Sequence, residues 1–233
     1  MRCLGRAGER VGRVSGKSAR LMFDALLLAD EFFFAAHDDR TGRPRQHVRA
    51  VGLGLAGALL GELLLFGRVS IERGVVTVIN RHPPEDALAH TVLDHLLGES
   101  QPHSPRTWLA FLAQNSYERV AARMERCGLV SRVESRRLWK TDTHWVAAND
   151  QVAAWPATRL RHLLVNEKPL VQPDIVLAGL VQATDLSDAV LWGAGSRTLQ
   201  YRDYLLSTLS EPLRELIAEI TAAVGSAVLT ART

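Results

Sequence analysis

The stretch that decides the fold is VGLGLAGALLGELLLF (Val51–Phe66), apolar almost all round, with Glu62 as its single charge. Such a run is either a membrane span or the central helix of a packed core. A spanning helix needs about 20 consecutive apolar residues, and a carboxylate within one costs a few kcal/mol. We therefore read residues 47–66 as a buried central helix, closed by Gly67 at its C-terminal end. Within it, Gly52, Gly54 and Gly57 spell G-x-G-x-x-G, but in a helical run rather than between a strand and a helix, so a dinucleotide site lacks its context. Small residues at 52, 54, 56, 57, 58 and 61 instead suit close approach by a neighbouring helix.

Working outward, SARLMFDALLLADEFFFAAHD (Ser18–Asp38) repeats apolar residues with the 3.6-residue period of a helix and ends in Thr41-Gly42-Arg43-Pro44, which is loop chemistry. Downstream, 68–72 and 75–80 alternate around Arg73-Gly74 as a hairpin. A helix is expected from Pro83 to Leu97, and another after the Ser104-Pro105 cap pair. A further helix over Tyr117–Cys127 ends at Gly128. A second hairpin, 129–133 with 138–146, turns at Glu134-Ser135-Arg136-Arg137. Helices follow over 156–167, 174–184, 187–192, 197–209 and 212–229. No linker and no internal repeat divides the chain. The expectation is a mainly α protein: a basic flexible arm over 1–18, then one compact helical domain over 19–233 around the central helix, with two β-hairpins.

The composition agrees with a packed protein: 233 residues, 47% hydrophobic and 23% charged. Two cysteines, Cys3 and Cys127, cannot form a disulfide scaffold or a four-cysteine zinc site. The charge is uneven. Residues 1–20 hold six basic side chains against Glu9, a net +5, whereas the whole chain is +3, leaving −2 for the remainder. Arginine supplies all but Lys17, Lys140 and Lys168 of the 28 basic residues, a usage common in GC-rich bacterial genomes. No uninterrupted apolar segment with a small-residue cleavage site follows the arm, so a secretory signal is not expected.

No catalytic constellation stands out. Of the eight histidines, His82, His90, His95 and His103 cluster in sequence, but His90 and His95 are five apart, not the four that puts two ligands on one helix face. Neither G-x-S-x-G nor a phosphate-binding P-loop is present. The expectation is a non-enzymatic protein with no cofactor and no metal.

The segment ERVAARMERCGLVSRVESRRLWKTDTHWV (Glu118–Val146) admits two readings. Helix, glycine and arginine-rich hairpin is how winged-helix proteins run from recognition helix to wing, with Arg119, Arg123, Arg126, Arg132, Arg136 and Arg137 facing phosphates. Glu118, Glu125 and Glu134 offset half that charge and the domain without its arm is mildly acidic, which disfavours a nucleic-acid partner. The lipid reading sets Leu138 and Trp139 as an apolar wedge among Arg136, Arg137 and Lys140, able to dip into a bilayer interface while the cations hold anionic headgroups. The projecting edge of that hairpin is also open to pairing with a second copy, a route to a homo-oligomer.

Several segments, in order, resemble the Golgi phosphoprotein 3 family: LLLADEFFFAAHDDRTG (Leu26–Gly42), GLAGALLGELLLFGRVSIE (Gly54–Glu72), ERVAARMERCGLV (Glu118–Val130), Thr143-His144, and LAGLVQATDLSDAVL (Leu177–Leu191). The resemblance spans roughly 19–229. It implies a mostly helical domain that binds phosphatidylinositol 4-phosphate at a membrane surface; in eukaryotic relatives a basic arm helps recruit coat components and membrane enzymes. Carried onto this chain, the family's headgroup tryptophan falls on His47 and its three arginines on Ala56, Gln114 and Tyr117. All four positions depart from the pattern. A doubly charged phosphate needs charge-assisted donors, of which arginine forks are the strong ones. Arg43, Arg45, Arg49 and Arg119 are the candidate substitutes. The expectation is thus a peripheral membrane adaptor on the inner membrane face, cytoplasmic, with anionic phospholipid and protein clients as partners and an altered headgroup choice. The alternatives are a winged-helix-like DNA-binding regulator and a protein-interaction scaffold that has lost its lipid site.

Overall fold

The computed structural model describes residues 26–137 and 140–230; for 135–137, 140–142 and 228–230 it describes the backbone alone. The elements are α1 (Leu28–Ala36), α2 (Val48–Leu65), β1 (Val69–Glu72), β2 (Val75–Val78), α3 (Ala87–Gly98), α4 (Pro105–Leu112), α5 (Ser116–Arg126), β3 (Val130–Arg137), β4 (Lys140–Ala147), α6 (Asp150–Val165), α7 (Gln172–Ala183), α8 (Ser187–Val190), α9 (Ser196–Ser207) and α10 (Glu211–Thr230). Both sheets are two-stranded and antiparallel, β1 with β2 and β3 with β4. The chain is mainly α, as its periodicity implies.

Helix α2 is the centre. It is long and apolar enough to cross a bilayer by length and composition, yet 78% of it is buried inside the domain. Helices α1, α3, α4, α5, α7 and α10 all pack on it. The glycines make that crowding feasible. A Cβ on Gly54 would sit 2.3 Å from Phe32 Cζ, and one on Gly57 would sit 2.2 Å from Ile220 Cδ1. Interiors this dense do not yield to an added methyl without cost.

Four local expectations shift. The first helix is seen from Leu28; residues 18–25 lie outside the described residues, as does the basic arm. The third helix starts at Ala87 rather than Pro83, because the Asp86 carboxylate accepts the Ala89 N–H at 2.8 Å and caps it there, leaving both prolines outside. The sixth starts at Asp150, six residues before Pro156, because Asn149 accepts the N–H groups of Gln151 and Val152. Pro156 therefore sits within the second turn of α6. Finally, β3 and β4 pair out to Arg137↔Lys140, so residues 134–137 belong to strand β3 and are not the turn. Residues 134–137 continue the ladder, their alternation with β4 outweighing their polar, turn-like character.

Two buried ion clusters run through the helices. Arg123 on α5, 4% exposed, donates through Nε and Nη2 to Asp30 Oδ1 (3.0 and 2.8 Å) and through Nη1 to Asp86 Oδ2 (3.0 Å). Its Nη1 and Nη2 also reach the two Glu62 oxygens at 3.4 Å. Glu62 Oε1 in turn accepts the Ala29 N–H at 2.8 Å. Arg159 on α6 grips Glu31 with two bonds of 2.8 and 2.9 Å and reaches Asp174. These are the partners that let Glu62 live inside an apolar helix, since a buried charge must be paired and hydrogen-bonded. Burial pushes the Asp30, Glu31 and Glu62 carboxyls above their ordinary range, and the arginines only partly offset it.

Candidate functional site

Three helix ends meet on one face: the C-terminus of α1 and the N-termini of α2 and α5. Two contacts fasten them. Ser116 at the start of α5 donates from Oγ to the Gly52 carbonyl of α2 at 2.7 Å, and Tyr117 bonds the ring of His37, which caps α1, at 2.9 Å.

His37 is fixed by its surroundings. Its ring stacks on Phe33 with centroids 4.0 Å apart, and Nδ1 lies 2.6 Å from the Phe33 carbonyl. A carbonyl only accepts, so Nδ1 carries the proton and Nε2 accepts the Tyr117 O–H. Burial lowers the His37 pKa to about 4, so it is a neutral acceptor near neutral pH. The turn that follows is held by Asp38, which accepts the Thr41 N–H and hydroxyl, both at 2.8 Å. These bonds hold the Asp38 carboxyl below its ordinary range. Gly42 then takes φ +65° against β4, where a Cβ would lie 2.0 Å from the Trp145 carbonyl oxygen. Only glycine fits, which accounts for the D-x-x-x-G spacing from Asp38 to Gly42.

The four family positions have different fates. His47 is exposed and caps α2, its Nδ1 accepting the Arg49 N–H at 3.2 Å. Gln114 is exposed in the link between α4 and α5. Tyr117 is half-buried and occupied by His37. Ala56, which offers no donor, lies mid-helix in α2 with 0% exposure.

The substitutes also divide. Arg45 is committed to its loop, donating from Nε to the His37 carbonyl at 2.8 Å and lying 3.7 Å from Asp39. Arg43 and Arg49 are exposed and their side chains have no hydrogen-bond or ion-pair partner among the described residues. Arg119 is half-buried, its Nη1 3.4 Å from His95 Nε2. Arg43 and Arg49 thus leave two exposed cations before and at the start of α2, and Arg119 a half-buried one on α5.

Among the described residues, the arginine stripe of the DNA reading is interrupted. Arg123 is buried in its ion cluster, Arg126 folds back on the Ala122 carbonyl, and Arg132 pairs with Glu134 at 3.2 Å. At the hairpin end, Leu138 and Trp139 lie outside the described residues, as do the side chains of Arg136, Arg137 and Lys140. Among the described residues no three His, Cys, Asp or Glu side chains gather into a metal site. The three carboxylates around Arg123 are filled by its guanidinium.

Compared with protein families, residues 28–220 match the model of Golgi phosphoprotein 3 (GPP34). The chain belongs to the Golgi phosphoprotein 3 family. The comparison with curated proteins returned no match. Family membership agrees with the resemblance read from the sequence and suggests an adaptor-like protein that engages lipid or protein. The sequence reading missed the His37–Tyr117 bond and both ion clusters. A signal for the clusters was available: Glu62 in the apolar run and Asp30-Glu31 in the first helix each demanded a buried cation.

Proposed function

We propose that the protein is a non-enzymatic peripheral membrane adaptor that binds anionic phospholipid headgroups on the face formed by the starts of α2 and α5. The observation that carries this reading is the contrast among arginines: Arg43 and Arg49 stand exposed and without a partner among the described residues on either side of His47, one of the positions onto which the family resemblance carries a headgroup contact, and Arg119 on α5 has no acid partner. Unpaired guanidinium forks at a surface are donors suited to phosphate oxygens. His47, Gln114 and Tyr117 carry no permanent charge, so headgroup choice differs from phosphatidylinositol 4-phosphate. The basic arm adds about 1 kcal/mol per residue near an anionic surface. The reading implies a cytoplasmic protein on the inner membrane face, needing no cofactor, with protein clients recruited from that position.

Vesicle sedimentation with and without phosphatidylinositol 4-phosphate is the test. Binding to anionic vesicles at low salt, with little gain from that lipid, supports the reading. Absence of binding to any anionic vesicle overturns it. The scaffold reading rests on Tyr117, whose hydroxyl is held inward by His37; binding of a protein client in the absence of any vesicle binding would favour it. Repeating the assay with residues 1–20 deleted separates the arm from the domain.

A further inference from the structure

We infer that the surface between α6 and α9 is a docking site for a client protein, taking an extended segment that sets an acidic side chain between apolar ones. This deepens the adaptor reading above by giving a client a place and a chemistry, and its test needs no membrane.

The surface is joined by direct contacts. An open concavity of about 270 Å³ lies between the end of α6 and the first turn of α9, lined by Val165, Asn166, Glu167, Arg197 and Thr198. Within it Arg197 holds both Glu167 oxygens, from Nε to one and from Nη2 to the other at 3.0 Å. One turn before Val165 on α6 stands Arg161, its guanidinium 4.0 Å from the ring centroid of Trp192 and its Nε donating to the Trp192 carbonyl. One turn after Arg197 on α9 stands Tyr201, stacked with Tyr204 and donating its hydroxyl to the Lys168 carbonyl. Each wall of the concavity thus leads within one turn to an aromatic group. Trp192 and Tyr204 are 65% and 64% exposed.

Glu167 adds a strained backbone to that surface. Helix α5 ends on Gly128 at φ +69°, whose N–H bonds the Glu125 carbonyl while that of Leu129 bonds Met124. Helix α6 ends with the same two bonds, Glu167 to Leu164 and Lys168 to Leu163, but with a glutamate at φ +47°. A residue with a Cβ resists that left-handed region, which glycine adopts freely. The strained residue does one visible thing, which is to put a carboxylate on Arg197. The Arg197 side chain is 84% exposed, and an ion pair so open to water contributes little to the fold. Glu167 is therefore a stand-in that a partner's acid can displace without disturbing the core.

Charge and shape choose the occupant. Arg161 and Lys168 have no acid partner among the described residues. The acids of α9 and of the α6–α7 link are both held, Asp203 by Arg202 and Glu167 by Arg197. The surface favours an acidic partner. A bilayer is entered by groups that project into it, and nucleic acid needs a run of free cations along its backbone. A peptide carboxylate suits the bidentate fork of Arg197, and apolar side chains beside it meet the aromatic groups. The turn from Arg197 to Tyr201 spans about 5.4 Å, roughly two residues of extended chain, which sets the spacing between acid and apolar side chain.

The experiment uses the full chain, labelled with nitrogen-15, and short acetylated and amidated peptides that place one glutamate among phenylalanine, leucine and proline at each register. Peptides with glutamine in its place are the control. The glutamate peptides should move the Arg197 Nε–H and Trp192 Nε1–H signals saturably, and the glutamine peptides should bind about tenfold more weakly. Arg197→Gln should weaken glutamate binding about tenfold at an unchanged melting temperature. Glu167→Gly, which removes the stand-in and relieves the backbone, should tighten binding about threefold with a melting temperature no lower than the parent's. The inference is overturned if no glutamate peptide moves the two signals, if glutamine peptides bind as tightly, if Arg197→Gln binds undiminished, or if Glu167→Gly binds no more tightly than the parent. It is equally overturned if phosphatidylglycerol vesicles or oligothymidylate move those signals and the peptides do not. Vesicle sedimentation of the same samples reports on the membrane reading separately, so either can fail alone.

Discussion

Arg119 and Arg123 lie one turn apart on α5 and do opposite work. Arg123 is sealed against Asp30, Glu62 and Asp86 and holds α5 to α1, α2 and the cap of α3. Arg119 rests beside His95 at the surface, with exposed Arg49 on the neighbouring α2. The residue type is the same; the difference is the number of carboxylates within reach. Where carboxylates outnumber a buried guanidinium, its charge is consumed by the fold. Where no acid pairs with it, the charge is available to an anionic partner.

That contrast breaks most visibly at Arg123. Arg123→Met leaves Asp30 and Glu62 buried without a counter-charge and should cost about 3–5 kcal/mol, read from urea denaturation. Adding Asp30→Asn and Glu62→Gln to the same chain should restore most of the loss, because the stranded charges are then gone. A cost below about 1 kcal/mol for Arg123→Met would mean that the cluster holds little of the fold.

The next effect is on pH. His37 titrates near 4 when folded, against about 6.5 when unfolded, so between those values the unfolded chain binds the extra proton. The stability His37 supports is complete above pH 6.5 and is lost as the pH falls to 4, by about 3 kcal/mol. Asp30, Glu31 and Glu62 act in the opposite sense, since their raised folded-state pKa values favour proton uptake by the folded chain on acidification. The difference between the parent protein and His37→Gln isolates the histidine. Melting curves across that window should fall more steeply for the parent.

Smaller still is the packing of α2. Gly54→Ala meets the rigid ring of Phe32 and the Thr184 methyl, whereas Gly57→Ala meets mostly the flexible end of Ile220. The first should cost about 1–3 kcal/mol and the second less, by thermal denaturation. Smallest is the effect on stability of Arg49→Gln, within about 0.5 kcal/mol, because the side chain has no partner to lose.

Much of this architecture is legible in the sequence because its signals are local. The apolar run of α2 with its small residues, the Ser104-Pro105 cap and the glycines at 67 and 128 act within a turn of where they stand. The boundaries that moved were set by single side chains, Asp86 and Asn149, reaching a backbone N–H. The site was less legible. Ala56 aligns with a family arginine, but its direction depends on how α2 is rolled in the core, which periodicity cannot fix when the helix is apolar all round. Tyr117 is tied to a histidine 80 residues away, a contact of the tertiary fold that no local pattern encodes.

The central claim is that the arginines without an acid partner, Arg43, Arg49 and Arg119, serve an anionic membrane and the buried, carboxylate-bound ones serve the fold. One measurement compares the parent protein with the Arg43→Gln/Arg49→Gln/Arg119→Gln variant, taking vesicle partitioning and melting temperature on the same samples. The account predicts that binding to anionic vesicles collapses while the melting temperature holds. Undiminished vesicle binding by the triple variant would contradict it.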